Sequence, residues 1–105
     1  MNEHEIQNQI IEYLKQVNCT FFRFNGGRKG YVSFYRAYEN NNTDTKGIPD
    51  ILVLKQGRCI GLEIKTKTGK QSVSQIKIEK WIKKHGGEYF LVRSLNDVIE
   101  RVNLK

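Results

Sequence analysis

Two apolar runs joined by a short turn constrain the fold of this chain most strongly. The run Ile51-Leu52-Val53-Leu54 is followed by Gln56-Gly57-Arg58, and a second run then extends from Cys59 to Lys65. Apolar runs of this length on either side of a glycine-containing turn predict a β-hairpin. Pro49 agrees with this interpretation, because a proline is tolerated where a strand begins. The centre of the chain is therefore predicted to be an antiparallel strand pair.

Three charged side chains interrupt this strand pair. Asp50 opens the first strand, and Glu63 and Lys65 alternate with Leu62 and Ile64 in the second. Since successive side chains of a strand point to opposite faces, Glu63 and Lys65 share a face and lie about 6.5 to 7 Å apart along the backbone. With a suitable register, Asp50 and Glu63 would meet at the same edge of the sheet.

Two converging carboxylates form an oxygen-ligand site, which suits Mg²⁺ or Mn²⁺. The backbone carbonyl of Ile64 is a further candidate ligand, and Lys65 beside the cation could orient or deprotonate an attacking water. Each charge also has a simpler explanation, with Glu63 and Lys65 as a solvent-facing ion pair and Asp50 as a turn residue. We favour the site, because charges inside an apolar run are costly to bury without a partner or a metal.

Helices and further strands are predicted on both sides of the central pair. Apolar residues at helical spacing predict helices over residues 3–17, 72–85 and 95–102. Runs rich in aromatic and β-branched residues predict strands over 20–25 and 88–93. The element order α-β-β-β-α-β-α predicts an α/β fold in which helices flank a central sheet.

Helix capping explains several polar residues without any function. Asn2 with Glu5 fits a capping box at the first helix, and Ser72 with Gln75 fits one at the second. Glu3 lies in the first turn of its helix, where a carboxylate favours the positive end of the helix dipole.

Basic residues indicate a polyanionic partner. The chain has 18 Lys and Arg residues against 11 acids, a net charge of +7, and such an excess favours nucleic acid because binding releases counterions. Two interpretations stay open for residues 26–46, which combine aromatic and basic side chains: an extra hairpin that packs on the core, or a surface that stacks on bases. The candidate DNA contacts are Arg28, Lys29, Arg36, Lys67, Lys70 and Lys77.

Length and composition limit the class of protein. The 105 residues predict a single domain over 1–105. No apolar run approaches the roughly 18 residues of a membrane span, and the acidic start is unlike a secretory signal, so we expect a cytoplasmic protein without membrane contact. Cys19 and Cys59 match no zinc site and are predicted to be buried free thiols.

The central motif resembles that of a known nuclease superfamily. Gly47-Ile48-Pro49-Asp50, a gap of twelve residues and Glu63-Ile64-Lys65 are similar to the PD-(D/E)XK signature, and the Gly-x-Pro-Asp form with the later Gln75 resembles its VRR-NUC branch. The resemblance extends over nearly the whole chain. It implies a restriction-endonuclease-like core with a mixed sheet, and a nuclease that depends on Mg²⁺ or Mn²⁺.

The resemblance also implies roles for individual residues. Asp50 and Glu63 would bind the metal, Lys65 would position water or act as general base, and Gln75 would support the site. An acid from the first helix is implied as well, and we expect Glu3 rather than Glu5, whose position the cap explains. Gln75 is expected to serve either the cap or the site, but not both.

Small free-standing members of this family resemble Holliday-junction resolvases that act as homodimers. This implies a DNA endonuclease that cleaves Holliday junctions or other branched DNA as a homodimer. One alternative is the same chemistry on flap, nicked or plain duplex DNA. The other is a non-catalytic nucleic-acid-binding module, in which the charged strand is structural.

Overall fold

A computed structural model of the chain describes residues 1–24 and 47–105. The hairpin considered for 26–46 and the candidate contacts Arg28, Lys29 and Arg36 lie outside the described residues. Within them, the chain forms helices, strands and one π-helical turn in this order: α1 (Glu3–Gln16), β1 (Thr20–Arg23), β2 (Ile51–Lys55), β3 (Arg58–Ile64), α2 (Val73–Lys84), β4 (Glu88–Val92), α3 (Leu95–Asp97) and the π-helical turn (Val98–Val102).

The strands form one mixed sheet in the order β1-β2-β3-β4. β1 pairs with β2 and β2 with β3 in antiparallel fashion, whereas β3 and β4 are parallel. Parallel neighbours need a crossover connection, and α2 supplies it. The predicted α/β fold, with helices flanking a central mixed sheet, is confirmed.

A two-residue turn fixes the register of the central hairpin. Lys55 pairs with Arg58, and the turn residues Gln56 and Gly57 both have positive φ angles, 48° and 81°. This is the geometry of a type I′ turn, whose twist matches that of the flanking strands. The register that follows pairs Ile51 with Leu62.

The hydrophobic core lies between one face of the sheet and α1 with the C-terminal helical segment. Side chains from the sheet alternate into it, and α1 contributes residues at helical spacing. Its fully or almost fully buried members include Ile6, Ile10, Leu14, Ile51, Val53, Ile60, Leu62, Ile64, Val92, Val98, Val102 and Leu104.

The two cysteines are free, as predicted, but differ in burial. Cys19 is half-buried, and its thiol donates a hydrogen bond to the Leu14 carbonyl oxygen at 3.4 Å. The prediction of burial is wrong for Cys59, which is exposed. Its neighbour Ile60 points into the core, and alternation along β3 therefore turns Cys59 to the opposite face.

None of the helices formed by residues 1–24 and 47–105 is long and apolar enough to cross a membrane.

Candidate active site

The hairpin register brings the carboxyl groups of Asp50 and Glu63 together. Asp50 lies one position before the Ile51–Leu62 pair and Glu63 one position after it, so the two residues face each other at the end of the ladder. The backbone N–H of Ile64 donates to Asp50 Oδ2 at 2.7 Å. On the other side, the N–H of Phe24 donates to the Asp50 carbonyl oxygen at 2.9 Å. Asp50 is thus held by Ile64 at the end of β3 and by Phe24, which follows β1.

Glu63 is a buried acid, with only 2% of its surface exposed. Its Oε2 accepts a hydrogen bond from Gln75 Nε2 at 3.0 Å. Its Oε1 is buried, and no donor among the described residues reaches it. Leaving such an oxygen without a partner is unfavourable, so a proton or a cation at this atom would stabilise the site.

The electrostatics of Glu63 support this conclusion. Burial is the largest cause that raises the pKa of Glu63. Charge repulsion from Asp50, a hydrogen bond shared with Asp50 and charge repulsion from Glu3 raise it further, whereas the charge of Lys65 lowers it. The resulting pKa is about 9. Glu63 therefore keeps its proton at neutral pH when no cation is bound. The carboxyl pair of Asp50 and Glu63 favours a positively charged ligand.

Glu3 and Glu5 occupy different environments in the first turn of α1. Asn2 and Glu5 form the predicted capping box: the Asn2 N–H donates to Glu5 Oε1 at 3.1 Å, and the Glu5 N–H donates to Asn2 Oδ1 at 2.8 Å. The charge of Glu3, in contrast, acts on Glu63. Glu3 therefore stays the predicted acid from α1, and its charge is the one that acts on Glu63.

Gln75 serves both the cap of α2 and the carboxylate pair. The Ser72 N–H donates to Gln75 Oε1 at 2.8 Å, and the Gln75 N–H donates to Ser72 Oγ at 3.1 Å. At the same time, Gln75 Nε2 donates to Glu63. The prediction that the cap would exclude a contact with the site is wrong, because a side-chain amide has an acceptor at one end and donors at the other.

The described residues fit a divalent metal ion in part. Within residues 1–24 and 47–105, no group of three or more His, Cys, Asp and Glu side chains is arranged to hold a metal. Asp50 and Glu63 nevertheless provide paired carboxylates with an unpartnered oxygen. Mg²⁺ is commonly bound through one or two carboxylates and keeps several waters, so this donor set suits it. The Ile64 carbonyl stays a prediction as a ligand.

Close packing that the sequence analysis did not anticipate supports the turn before Asp50. A Cβ on Gly61 would lie 2.7 Å from Pro49 Cγ and 3.4 Å from the Tyr89 ring. Gly47 has a φ of 87°, and a Cβ there would collide with the backbone of Ser74. A glycine within a strand often marks such a close approach, so Gly61 carried a usable signal.

The basic loop after β3 and the face of α2 beyond it carry the remaining candidate residues. Lys67, Lys70 and Lys77 are all exposed. Lys65 begins this loop, and its backbone N–H donates to the Val92 carbonyl oxygen at 3.0 Å. The basic loop therefore begins directly after the strand that carries Glu63.

Comparison with known proteins agrees with this fold. Neither protein-family models nor curated proteins gave a match to the sequence. A solved structure described as a VRR_NUC domain is similar to this chain, with a TM-score of 0.66 and 22% sequence identity; the match covers 94% of this chain and 95% of that one. This chain therefore has a VRR-NUC family fold.

Proposed function

We propose that this chain, which has the fold of a VRR_NUC domain, is a metal-dependent nuclease that hydrolyses phosphodiester bonds in DNA. The observation that carries the proposal is the carboxyl pair of Asp50 and Glu63, with the buried Oε1 of Glu63 lacking a donor. A buried acid such as Glu63, facing the half-buried Asp50, costs stability in a purely structural role. The same pair is suited to hold a divalent cation beside a substrate phosphate.

The side chains around the pair have separate tasks in this proposal. Asp50 and Glu63 would hold Mg²⁺ or Mn²⁺, and Glu3 and the Ile64 carbonyl would be further ligands. A divalent ion bound there stabilises the negative charge that develops on the phosphate oxygens. Gln75 fixes the orientation of Glu63 through the 3.0 Å hydrogen bond to Oε2.

Lys65 acts on the attacking water. It directly follows the last residue of β3, two residues after Glu63, and its charge reaches the Glu63 carboxyl. In the proposed reaction, Lys65 orients the water for attack on phosphorus and assists the transfer of the water's proton to solvent. The phosphorus–oxygen bond to one sugar breaks, and that oxygen takes up a proton from solvent and leaves as a hydroxyl group. Lys67, Lys70 and Lys77 hold the DNA backbone, and Arg28, Lys29 and Arg36 are further candidates for the same task.

The proposed substrate is branched DNA, including Holliday junctions, cleaved by a homodimer. A four-way junction has approximate two-fold symmetry, and symmetric cleavage needs two active sites related by a two-fold axis. One set of Asp50, Glu63 and Lys65 serves one strand, so two copies of the domain match the two strands that must be cut.

A panel of labelled DNAs tests the proposal. The protein is incubated with an immobile four-way junction, a flap, a nicked duplex and a plain duplex, each with Mg²⁺, with Mn²⁺ or with chelator. We expect metal-dependent, paired and symmetric nicks in the junction. Equal cleavage of plain duplex would contradict the branched-DNA proposal but not the nuclease.

Two variants separate a nuclease from a binding module. Asp50→Asn should abolish cleavage while DNA binding persists, and Glu100→Gln, which changes an exposed acid of the last helical segment, should cleave like the wild type. Binding without cleavage by the wild type under every metal condition would contradict the proposed activity.

A further inference from the structure

Arg93 follows the last residue of β4. Its side chain reaches into the loop that begins at Lys65. Its Nη1 donates to the carbonyl oxygens of Thr66 at 2.5 Å and Gly69 at 2.8 Å, with a longer contact to that of Lys67 at 3.3 Å. One guanidinium group thus contacts three carbonyls within four residues. Hydrogen bonds from a charged donor are stronger than neutral ones, so Arg93 closes this loop firmly.

The backbone around Arg93 is fixed as well. Its N–H donates to Asp97 Oδ2 at 2.8 Å, and the Asp97 N–H in turn donates to Ser94 Oγ at 3.2 Å. One residue earlier, the Val92 carbonyl accepts the N–H of Lys65. The end of β4 therefore holds both the first residue of the loop and the side chain that organises the rest of it.

Gly69 links this loop to the side chain of Lys65. The Gly69 N–H donates to the Thr66 carbonyl oxygen at 3.1 Å and closes a tight turn. A Cβ on Gly69 would lie 3.4 Å from Lys65 Cδ and 3.5 Å from Lys65 Cβ. Gly69 consequently packs along the aliphatic part of Lys65, and the position of Gly69 limits where that part can lie.

The far end of the loop is also anchored. Gln71 Nε2 donates to Glu79 Oε1 at 3.0 Å and contacts the Tyr89 hydroxyl at 3.2 Å. Lys67 and Lys70, between the two anchors, are exposed. The loop therefore presents these two lysines from a fixed backbone.

We propose that Arg93 is a positioning residue for Lys65: it holds the Thr66–Gly69 backbone so that Gly69 supports the lysine side chain in the active site. This inference rests on the proposed nuclease function. The Arg93 guanidinium is directed at backbone carbonyls, so its task is to order the loop. Misplacing a reacting group by about 1 Å can cost on the order of 100-fold in rate, which gives such a positioning residue a measurable effect.

Arg93→Met tests the proposal, because methionine retains much of the side-chain bulk but no donor. We expect kcat to fall about 10- to 100-fold with KM within about threefold of wild type, and Mg²⁺ affinity measured by calorimetry to stay unchanged. Trypsin should cleave after Lys67 and Lys70 at least about fivefold faster, since the loop opens locally. Arg101→Met is the matched control: Arg101 Nη1 also donates to a backbone carbonyl, that of Leu91 at 2.8 Å, but outside this loop.

Two further variants keep the test decisive if Arg93→Met folds poorly. Arg93→Lys preserves the charge but loses the planar fork, so its kcat should fall well below that of wild type. Gly69→Val places branched carbons against Lys65 while the Arg93 contacts remain, so it should lower kcat without faster trypsin cleavage.

Three results would overturn the inference. One is an Arg93→Met loop that resists trypsin as the wild-type loop does, with kcat unchanged. Another is an Arg93→Lys variant equal to wild type in both assays, which would mean that only charge matters. The third is a faster-cleaved loop with unchanged kcat. Absence of cleavage by wild type on any DNA would contradict the nuclease itself, and the trypsin assay would still test whether Arg93 holds the loop.

Discussion

The amide nitrogen of Gln75 lies 3.0 Å from Glu63 Oε2 and joins the N-terminus of α2 to the carboxyl pair of Asp50 and Glu63. The oxygen of the same amide accepts the Ser72 N–H at 2.8 Å. One side chain therefore couples the start of a helix to the orientation of a proposed metal ligand, and substitutions at the two residues of the cap can separate these roles.

Gln75→Glu should retain the cap and impair the site. Glutamate is also a capping-box residue, but its carboxylate cannot donate to Glu63 and repels it. We expect DNA cleavage to fall strongly. The matched control is Ser72→Ala, which loses the cap at a cost of about 0.5 to 2 kcal/mol in the free energy of unfolding while the Gln75–Glu63 contact remains. Thermal unfolding and cleavage rates are measured for both variants. If Ser72→Ala lost activity and Gln75→Glu kept it, the assignment of Gln75 as a support of Glu63 would be contradicted.

The stability of the metal-free protein should fall as pH rises from about 5 to 9. The pKa of Glu63 is raised from 4.5 to about 9, so the folded state binds a proton in this range that the unfolded state has released. More protons on the folded state means that the free energy of unfolding decreases with pH. Urea unfolding at several pH values measures the slope. Glu63→Gln should flatten it, and an equally steep slope in that variant would refute the assignment to Glu63.

Glu3 and Glu5 allow a matched test of which acid in the first turn of α1 binds the metal. Glu3→Gln should weaken Mg²⁺ or Mn²⁺ binding, because Glu3 is the acid whose charge reaches Glu63. Glu5→Gln should leave metal affinity close to that of wild type, since glutamine can also serve in a capping box. Calorimetric titration of both variants with Mn²⁺ distinguishes them, and the reverse order of affinities would assign the ligand to Glu5.

Gly61→Ala should destabilise the fold and displace the turn before Asp50. The added Cβ would lie 2.7 Å from Pro49 Cγ, and overpacking of this kind costs typically about 1 to 3 kcal/mol. Gly57→Asn is a suitable control, because the hairpin turn has open space at this residue and asparagine tolerates a positive φ. Urea unfolding compares the two variants. Equal stability of Gly61→Ala and wild type would show that Pro49 can move without cost.

The sequence predicted those features that follow from local pattern. Alternation placed Glu63 and Lys65 on one face of the predicted hairpin, next to a glycine-containing turn at Gln56-Gly57-Arg58. The sequence left the register open, and the structure, in which Arg58 already pairs with Lys55, sets the one that brings Asp50 to Glu63. The capping boxes of Asn2 with Glu5 and Ser72 with Gln75 also form as predicted. In each case the residues that interact are close in sequence or joined by a tight turn.

Other features depend on contacts between distant segments and left little trace in local pattern. Arg93 contacts carbonyls that lie 24 to 27 residues earlier in the chain, and a lone arginine after a strand does not indicate such a role. The exposure of Cys59 follows from which face of β3 packs on the core. The double use of Gln75 depends on how the N-terminus of α2 packs beside β3. Neither the cap nor the motif alone shows that one amide contacts both Ser72 and Glu63.

Titration of the protein with Mn²⁺, followed by calorimetry, tests most directly whether Asp50 and Glu63 form a metal site. We expect wild type to bind the ion, and both Asp50→Asn and Glu63→Gln to lose at least about tenfold in affinity, as is typical when a group that supports a metal site is removed. Glu100→Gln should bind like wild type. Equal affinity in all four proteins, or no binding by wild type, would contradict the account.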